Sequence, residues 1–231
     1  MSLKSDKWIK EQCIGQEVPM IEPFFESIKR VDGERKIPSY GLSSYGYDVR
    51  LGDEFLFYTT PAHLIDQEEM FTGVPVGYED ADGKPRVDYY FIPKSASVLA
   101  RSVVDIADPA TQNFTRIKGA KWIDLPPNSF CLSMTMEKIN MPRDASVVCM
   151  GKSTVARNGI IVIVTPLEAG WSGYVTLEIY NTLPLPVRIY PGMGITQMQF
   201  FSHPDEQCET SYDERGGKYM DQACQPVPPR L

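Results

Sequence analysis

Histidine is scarce in this chain of 231 residues, and its cysteines are not paired. Its two histidines, His63 and His203, are not followed by glutamate at the second position, and its five cysteines form no C-x-x-C pair. Zinc-dependent nucleobase deaminases need H-x-E and P-C-x-x-C to hold the metal and move protons. The sequence therefore excludes zinc-dependent deamination of that type. An odd number of scattered cysteines favours reduced thiols in a cytoplasmic protein over a disulfide framework.

An excess of positive charge is also missing. The chain has 23 basic and 30 acidic residues, a formal net charge of -7. Binding to a nucleic acid polymer needs a basic surface that displaces counterions, so we expect no such partner, whereas a small polyphosphate could bind where a few cations gather. No apolar stretch approaches the roughly 20 residues of a membrane-spanning helix, and the first residues lack the apolar run of a signal peptide. We therefore expect no membrane association.

Short β-rich segments follow a single helix predicted over residues 5–14. Many short strands between turn residues, with 19 prolines and 17 glycines, are typical of a β-sandwich or barrel. We predict a single domain over residues 1–231, with an insertion at about 60–125 that carries its own hairpins and a polar tail from about 202 that is mobile unless something holds it. The strands are predicted at 47–51, 54–58, 87–92, 129–135, 146–150, 159–164, 174–180, 187–190 and 195–201.

Residues 151–157, GKSTVAR, have the composition of a phosphate-binding turn. The backbone N–H groups at a helix start, together with hydroxyls and Lys152, suit an anion. Ser153 and Arg157 are four residues apart, so on a helix they share a face. The alternative is a capped surface helix between two strands. The segment is not a Walker A motif, because the leading glycine is missing.

Glu178 is the first candidate for acid–base chemistry. Alternation in the strand 174–180, YVTLEIY, places it opposite the aliphatic face of the strand, on the same side as Thr176. If that side faces solvent, Glu178 is an ordinary exposed carboxylate. If it faces a cleft between subunits, the low dielectric raises its proton affinity and suits a general base.

Two further segments are candidates for ligand contacts. The loop 165–173, TPLEAGWSG, joins two strong strands and carries Glu168 and Trp171. Such loops often bind ligands, but a plain hairpin with Trp171 packed on the core is an equal alternative. Gln197 follows a Pro-Gly turn and has an amide that both donates and accepts, which alone is a weak signal.

Taken in order, these segments resemble the dCTP deaminase family, a branch of the trimeric dUTPase superfamily. The resemblance rests on residues 151–201, on SSYGYDVRLGDEF at 43–55 and on SYDERGGKYMDQ at 211–222, and it leaves out roughly residues 60–125. It implies a mainly β fold, a distorted β-barrel or jelly-roll of the dUTPase-like type with a few short helices. It also implies a homotrimer with three active sites at its interfaces, and hydrolytic deamination of dCTP to dUTP and ammonia, which supplies dUMP and dTTP.

The resemblance also implies roles for individual residues. Glu178 falls on the catalytic glutamate, and Ser153 and Arg157 fall on the residues that position water and support that glutamate. A triphosphate would arrive with Mg²⁺, and dTTP or dUTP could occupy the same site. Contacts with the substrate are implied for Lys152 and Thr154 at the triphosphate, Thr165 near the base, Glu168 at the sugar 3′-hydroxyl, and Thr176, Gln197, Tyr212, Lys218 and Gln222.

The chain departs from the family pattern at three places, and other functions remain open. Lys152 stands where many members have arginine, the loop 165–170 is short, and the insertion at about 60–125 is atypical. A dUTP pyrophosphatase would use a loop carboxylate to activate water toward the α-phosphorus. A bifunctional enzyme would convert dCTP to dUMP and pyrophosphate. A non-catalytic β-barrel module would bind no triphosphate.

Overall fold

The computed structural model describes residues 2–58, 71–93, 105–108, 114–202 and 207–230. His63, His203 and much of the predicted insertion lie outside these residues. The described elements are β1 (Ser2–Leu3), α1 (Asp6–Cys13), β2 (Ile21–Glu22), β3 (Lys29–Asp32), β4 (Arg35–Ser43), β5 (Gly46–Arg50), β6 (Phe55–Tyr58), β7 (Phe71–Glu79), β8 (Pro85–Pro93), β9 (Phe114–Ile117), β10 (Trp122–Leu125), β11 (Phe130–Asn140), β12 (Ala145–Gly151), α2 (Ser153–Ala156), β13 (Ile160–Ile163), β14 (Ser172–Asn181), β15 (Val187–Ile189) and β16 (Gly194–Ser202).

The mainly β fold class is confirmed, and the barrel is replaced by three open sheets. The strand orders are β1-β16-β5-β4-β3 with β12 beside β16, β15-β10-β7-β8, and β13-β14-β11-β6-β9 with β2 beside β11. Closing a sheet into a barrel requires its two edge strands to pair with each other. Among the described strands the edges do not pair, so the sheets enclose the core by packing rather than by closure.

One hydrophobic core joins the three sheets. Alternate residues of β14 are buried, including Val175, Leu177 and Ile179, and they pack with Phe55 and Phe200 from the other strands. Branched and aromatic side chains of this kind suit a half-buried pleated surface. One face of β14 therefore packs in the core, and the opposite face, which carries Glu178, does not.

The predicted helix and the nine predicted strands are confirmed, with shifted ends. The sequence analysis missed β1, β2, β3, β4, β7, β9 and β10. The β3–β4 hairpin is strongly charged, and β7 contains two glycines and a proline, so neither shows the alternation that a half-buried strand produces. The described part of the insertion does form a hairpin, since β7 pairs with β8 around the Asp82-Gly83 turn.

The polar tail is held against the body. Tyr212 N–H donates to the Ala169 carbonyl at 2.9 Å, Asp221 N–H donates to the Ser172 carbonyl at 2.9 Å, and Tyr174 N–H donates to the Gln222 carbonyl at 3.0 Å. Backbone bonds of this kind immobilise a segment that composition alone marks as mobile.

A fully buried carboxylate, Glu137, joins β11 to β5. Its two oxygens accept from the Arg50 backbone N–H at 2.8 Å and from Arg50 Nε at 2.6 Å. Burial raises the pKa of Glu137, while the positive charge of Arg50 opposes that shift. Buried pairs of this kind are costly to break on one side, because the remaining charge loses its partner.

We therefore expect Glu137→Ala to lower the free energy of unfolding by about 3–5 kcal/mol, measured by urea denaturation. Glu79→Ala is the matched control, because the ion pair of Glu79 with Lys121 is more than half exposed. That control should lose at most about 1 kcal/mol. Equal losses in the two variants would contradict a special role for the buried pair.

Candidate active site

The sheet face that carries Glu178 is the floor of a cleft. Glu178 lies directly opposite Leu132 on β11 and Ile163 on β13, and directly opposed residues project from the same face of a sheet. The cleft has a volume of about 680 Å³, and its floor includes Leu132, Phe130 and Tyr58. The face of β14 that carries Glu178 was predicted to lie opposite the aliphatic face. Apart from the Glu178 carboxylate, the neighbours on this face are mostly apolar as well.

Six of the twelve predicted site residues line this one cleft. They come from the loop after β13, from β14 and from the tail, and they are Thr165, Glu168, Thr176, Glu178, Tyr212 and Gln222. Segments far apart in sequence therefore converge on the same space. A mainly apolar cleft with a few polar groups is the usual form of a small-molecule site.

One oxygen of the Glu178 carboxyl group is shielded from water, and no cation of the described residues forms an ion pair with the group. Its Oε2 atom is buried and has no hydrogen-bond partner among the described residues. Burial raises the pKa of Glu178 from 4.5 to about 7, and a hydrogen bond from its own backbone N–H opposes this shift. Near neutral pH the group is present in both protonation states, which is the condition that favours a general acid–base.

The tail closes one side of the cleft through hydrogen bonds to the loop and to β14. Trp171 Nε1 donates to the Tyr219 carbonyl at 2.9 Å, and Thr176 Oγ1 donates to Gln222 Oε1 at 2.8 Å. Gly173, with φ of +144°, permits this approach, because an added Cβ would lie 2.6 Å from Gln222 N. The WSG sequence of the loop thus serves the docking of the tail.

Glu168 stands at the mouth of the cleft, where it is exposed and bound by a cation from the tail. Its Oε2 accepts from Arg215 Nη2. The guanidinium of Arg215 also lies over the Tyr212 ring, 5.4 Å from the centroid. The sequence analysis did not select Arg215, since it lies in the quoted tail motif without a distinctive pattern of its own.

The other predicted residues lie outside the cleft. Ser153 and Thr154 on α2, and Arg157 after it, are exposed. Lys218 is also exposed, with its Nζ over the Tyr219 ring at 5.6 Å from the centroid. The residues expected to hold the phosphates and the attacking water therefore lie away from Glu178 within a single chain.

Lys152 and Gln197 meet at Asp48, a buried carboxylate that the sequence analysis missed. Lys152 Nζ forms an ion pair with Asp48 Oδ2 and donates to Ser39 Oγ at 3.0 Å. Gln197 Nε2 donates to Asp48 Oδ1 at 3.2 Å. Asp48 lies in the segment 43–55 that carries the resemblance. A carboxylate within that motif is the signal by which the sequence analysis could have selected Asp48 as a site residue.

An apolar surface lies next to Glu178 on β12, β13 and β14. Ile163 is 59% exposed, Met150 49% and Ile161 48%. Ile161 is opposite Tyr180 and Ile163 is opposite Glu178, so the surface continues the floor of the cleft. Several exposed apolar side chains on neighbouring segments are typical of an interaction surface.

Within the described part of the chain, no group of three or more His, Cys, Asp or Glu side chains is placed to hold a metal ion. Nor does any described helix combine the length and apolar character needed to cross a bilayer.

Known proteins similar to this chain are dCTP deaminases. A family model described as dCTP deaminase-like matches residues 86–203. The dCTP deaminases of Francisella philomiragia subsp. philomiragia and of Francisella tularensis subsp. novicida are each 46% identical to it over 222 residues, which is 96% of this chain and 96% of theirs. The predicted insertion at about 60–125 is therefore not confined to this chain.

A solved structure supports the fold. The crystal structure of 2′-deoxycytidine 5′-triphosphate deaminase from Agrobacterium tumefaciens superimposes with a TM-score of 0.50 and 15% identity. The superposition covers 87% of this chain and 48% of that one, so this chain spans about half of that chain's length.

The raised pKa of Glu178 predicts an effect on stability with a definite sign. Between pH 4.5 and about 7 the native state holds a proton that the unfolded state has released, so stability falls as pH rises through that window. Glu178→Gln, which cannot ionise, should therefore become more stable than the wild type by about 2 kcal/mol at pH 8, a value reduced for partial solvent screening. At pH 4 the two proteins should unfold at similar urea concentrations. A stability difference that is independent of pH would contradict the burial of this carboxylate.

Proposed function

The chain belongs to the dCTP deaminase family, and on this premise we propose that it hydrolyses dCTP to dUTP and ammonia with Glu178 as the general base. The observation that carries the proposal is the buried Oε2 atom of Glu178, which lies in the cleft and has no hydrogen-bond partner among the described residues. A carboxylate with a pKa near 7 can take a proton and return it within one turnover.

The reaction requires one proton carrier because water has to become both a nucleophile and a source of protons. Glu178 takes a proton from the water that attacks C4 of cytosine and delivers it to N3. The second proton of that water passes through the same carboxylate to the exocyclic amine, the C4–N bond breaks, and ammonia leaves as C4 becomes a carbonyl. Acid–base help of this kind is worth roughly 10²–10⁴-fold in rate.

The remaining catalytic groups come, in this proposal, from a neighbouring chain. Ser153 and Arg157 are exposed and separate from the cleft, while the Ile161, Ile163 and Met150 surface beside Glu178 lacks a cover. A homotrimer that buries this apolar surface would bring α2 of one chain to the cleft of the next. Ser153 would then hold the attacking water, and Arg157 would offset the charge on Glu178.

The triphosphate would lie toward Lys152 and Thr154. Mg²⁺ would be held mainly by phosphate oxygens, which are ligands that this ion prefers, and it would offset the charge of the triphosphate. Thr165, Glu168 and Thr176 would contact the base and sugar from the cleft, with Gln197 and the tail residues Tyr212, Lys218 and Gln222 completing the site. dTTP and dUTP share the sugar and triphosphate with dCTP, so we propose that they bind at the same place.

A bifunctional activity is the second candidate, because Glu168 lines the same cleft as Glu178. In that case Glu168 would activate water toward the α-phosphorus and the product would be dUMP with pyrophosphate. The ion pair between Glu168 and Arg215 favours a binding role for this carboxylate instead. Incubation with dCTP and Mg²⁺ followed by separation of the nucleotides decides: dUTP with ammonia supports the first proposal, and dUMP with pyrophosphate supports the second.

Replacing Glu178 with glutamine removes the proton carrier but keeps the shape of the side chain. We expect ammonia release from dCTP to fall by at least about 10³-fold in Glu178→Gln, with dCTP binding retained in equilibrium dialysis. Glu79→Gln, an exposed carboxylate on β7, serves as the control and should keep wild-type activity. Ammonia release at the normal rate from Glu178→Gln would remove the proposed mechanism.

Mixing two inactive variants tests whether the site is shared between chains. Glu178→Gln and Arg157→Ala should each be inactive alone, but a mixed trimer contains one interface at which both native residues meet. Random reassembly of equal amounts should therefore restore about a quarter of the wild-type activity, measured as ammonia release. If mixing restores nothing while native mass spectrometry shows mixed trimers, the two residues act within one chain.

A further inference from the structure

The row of opposed residues that contains Glu178 continues to the far edge of its sheet. Glu178 is opposite Leu132, Leu132 is opposite Leu56, and Leu56 is opposite Arg116 on β9. All four therefore project from the cleft face. With neighbouring strands about 5 Å apart, Arg116 lies about 15 Å from Glu178 across the floor.

The last described residues of the tail cross above this row. Residues 222–229, which we call the strap, are bonded to Thr176 of β14 at two points along the strap. Gln222 Oε1 accepts from Thr176 Oγ1 at 2.8 Å, and Val227 N–H donates to the same Thr176 Oγ1 at 3.1 Å. Val227 is buried and, with Pro229, lines the cleft. The strap thus forms a wall of the cleft.

Arg116 bonds the strap between those two points. Its Nη1 atom donates to Gln225 Oε1 at 3.3 Å, and the same atom forms an ion pair with Glu54. The Glu54 carboxyl is 6% exposed and is also paired with Lys118 at 3.2 Å. A buried carboxylate therefore fixes the guanidinium, and the guanidinium fixes Gln225.

We propose that Arg116 is a positioning residue that holds the strap over the cleft and so sets the affinity for the nucleotide. This inference rests on the proposed function for its effect on dCTP, but its effect on the strap is independent of any activity. Arg116 lies about 15 Å from Glu178, so it acts through Gln225 and not as a contact to the reacting atoms. β9 lies within the predicted insertion at about 60–125, so this insertion supplies a residue that shapes the active site.

Three variants separate positioning from a general effect on folding. Arg116→Gln removes the bond to the strap, and Lys118 remains to pair with Glu54. Lys118→Gln is the matched control, because Lys118 shares Glu54 but has no bond to Gln225 among the described residues. Gln225→Ala removes the same bond from the other side.

Amide hydrogen exchange of the strap and steady-state ammonia release are the two measurements. We expect exchange in residues 222–229 to quicken by about tenfold in Arg116→Gln and in Gln225→Ala, with no further increase in the double variant, and to stay unchanged in Lys118→Gln. The KM for dCTP should rise by about 3- to 30-fold in Arg116→Gln and in Gln225→Ala while kcat changes by less than about twofold, and both should stay unchanged in Lys118→Gln.

The inference is overturned if Lys118→Gln matches Arg116→Gln, if the two single effects add in the double variant, or if strap exchange is unchanged in Arg116→Gln. Should the wild-type protein release no ammonia from dCTP, the proposed function fails, and the exchange measurements decide the inference alone.

Discussion

The burial of one oxygen of the Glu178 carboxyl group is the constraint on which the rest of the site depends. Glu178 sits on a sheet face where Leu132 and Ile163 are its directly opposed neighbours, and burial raises its pKa to about 7. A salt bridge at the same position would lower that pKa and leave a carboxylate too weakly basic to take a proton from water. Glu137 and Asp48 are paired with Arg50 and Lys152, whereas Glu178 forms no such pair among the described residues.

The apolar surroundings of Glu178 come from several separate segments. The two faces of β14 are divided between the core and the cleft by simple alternation. The loop that carries Trp171 and the tail that carries Tyr219 then close the cleft by bonding to each other. Because Gly173 lets Gln222 approach the β14 backbone, the tail can line the cleft that contains the carboxyl group.

Local pattern predicted much of this arrangement and failed where contacts are long-range. Alternation in 174–180 correctly placed Glu178 opposite the aliphatic face, and the helix and strands with clear periodicity were found. The charged β3–β4 hairpin and the glycine-containing β7 were missed, since pairing with neighbours overrides their weak local preference. Asp48, Arg215 and Arg116 were also missed, because each acquires its role from a partner between about 50 and 150 positions away in the chain, a relation that spacing does not reveal. The barrel expected from the resemblance was replaced by open sheets for a similar reason, as closure depends on the edge strands.

The pH dependence of kcat/KM for dCTP tests the central claim most directly, since it reports the ionisation of the free enzyme. A general base with the environment of Glu178 should give a rate that rises tenfold per pH unit in acid and levels off above a pKa of about 7. A profile that levels off near 4.5, the ordinary value for a glutamate, or that shows the same limb in the residual activity of Glu178→Gln, would contradict the account.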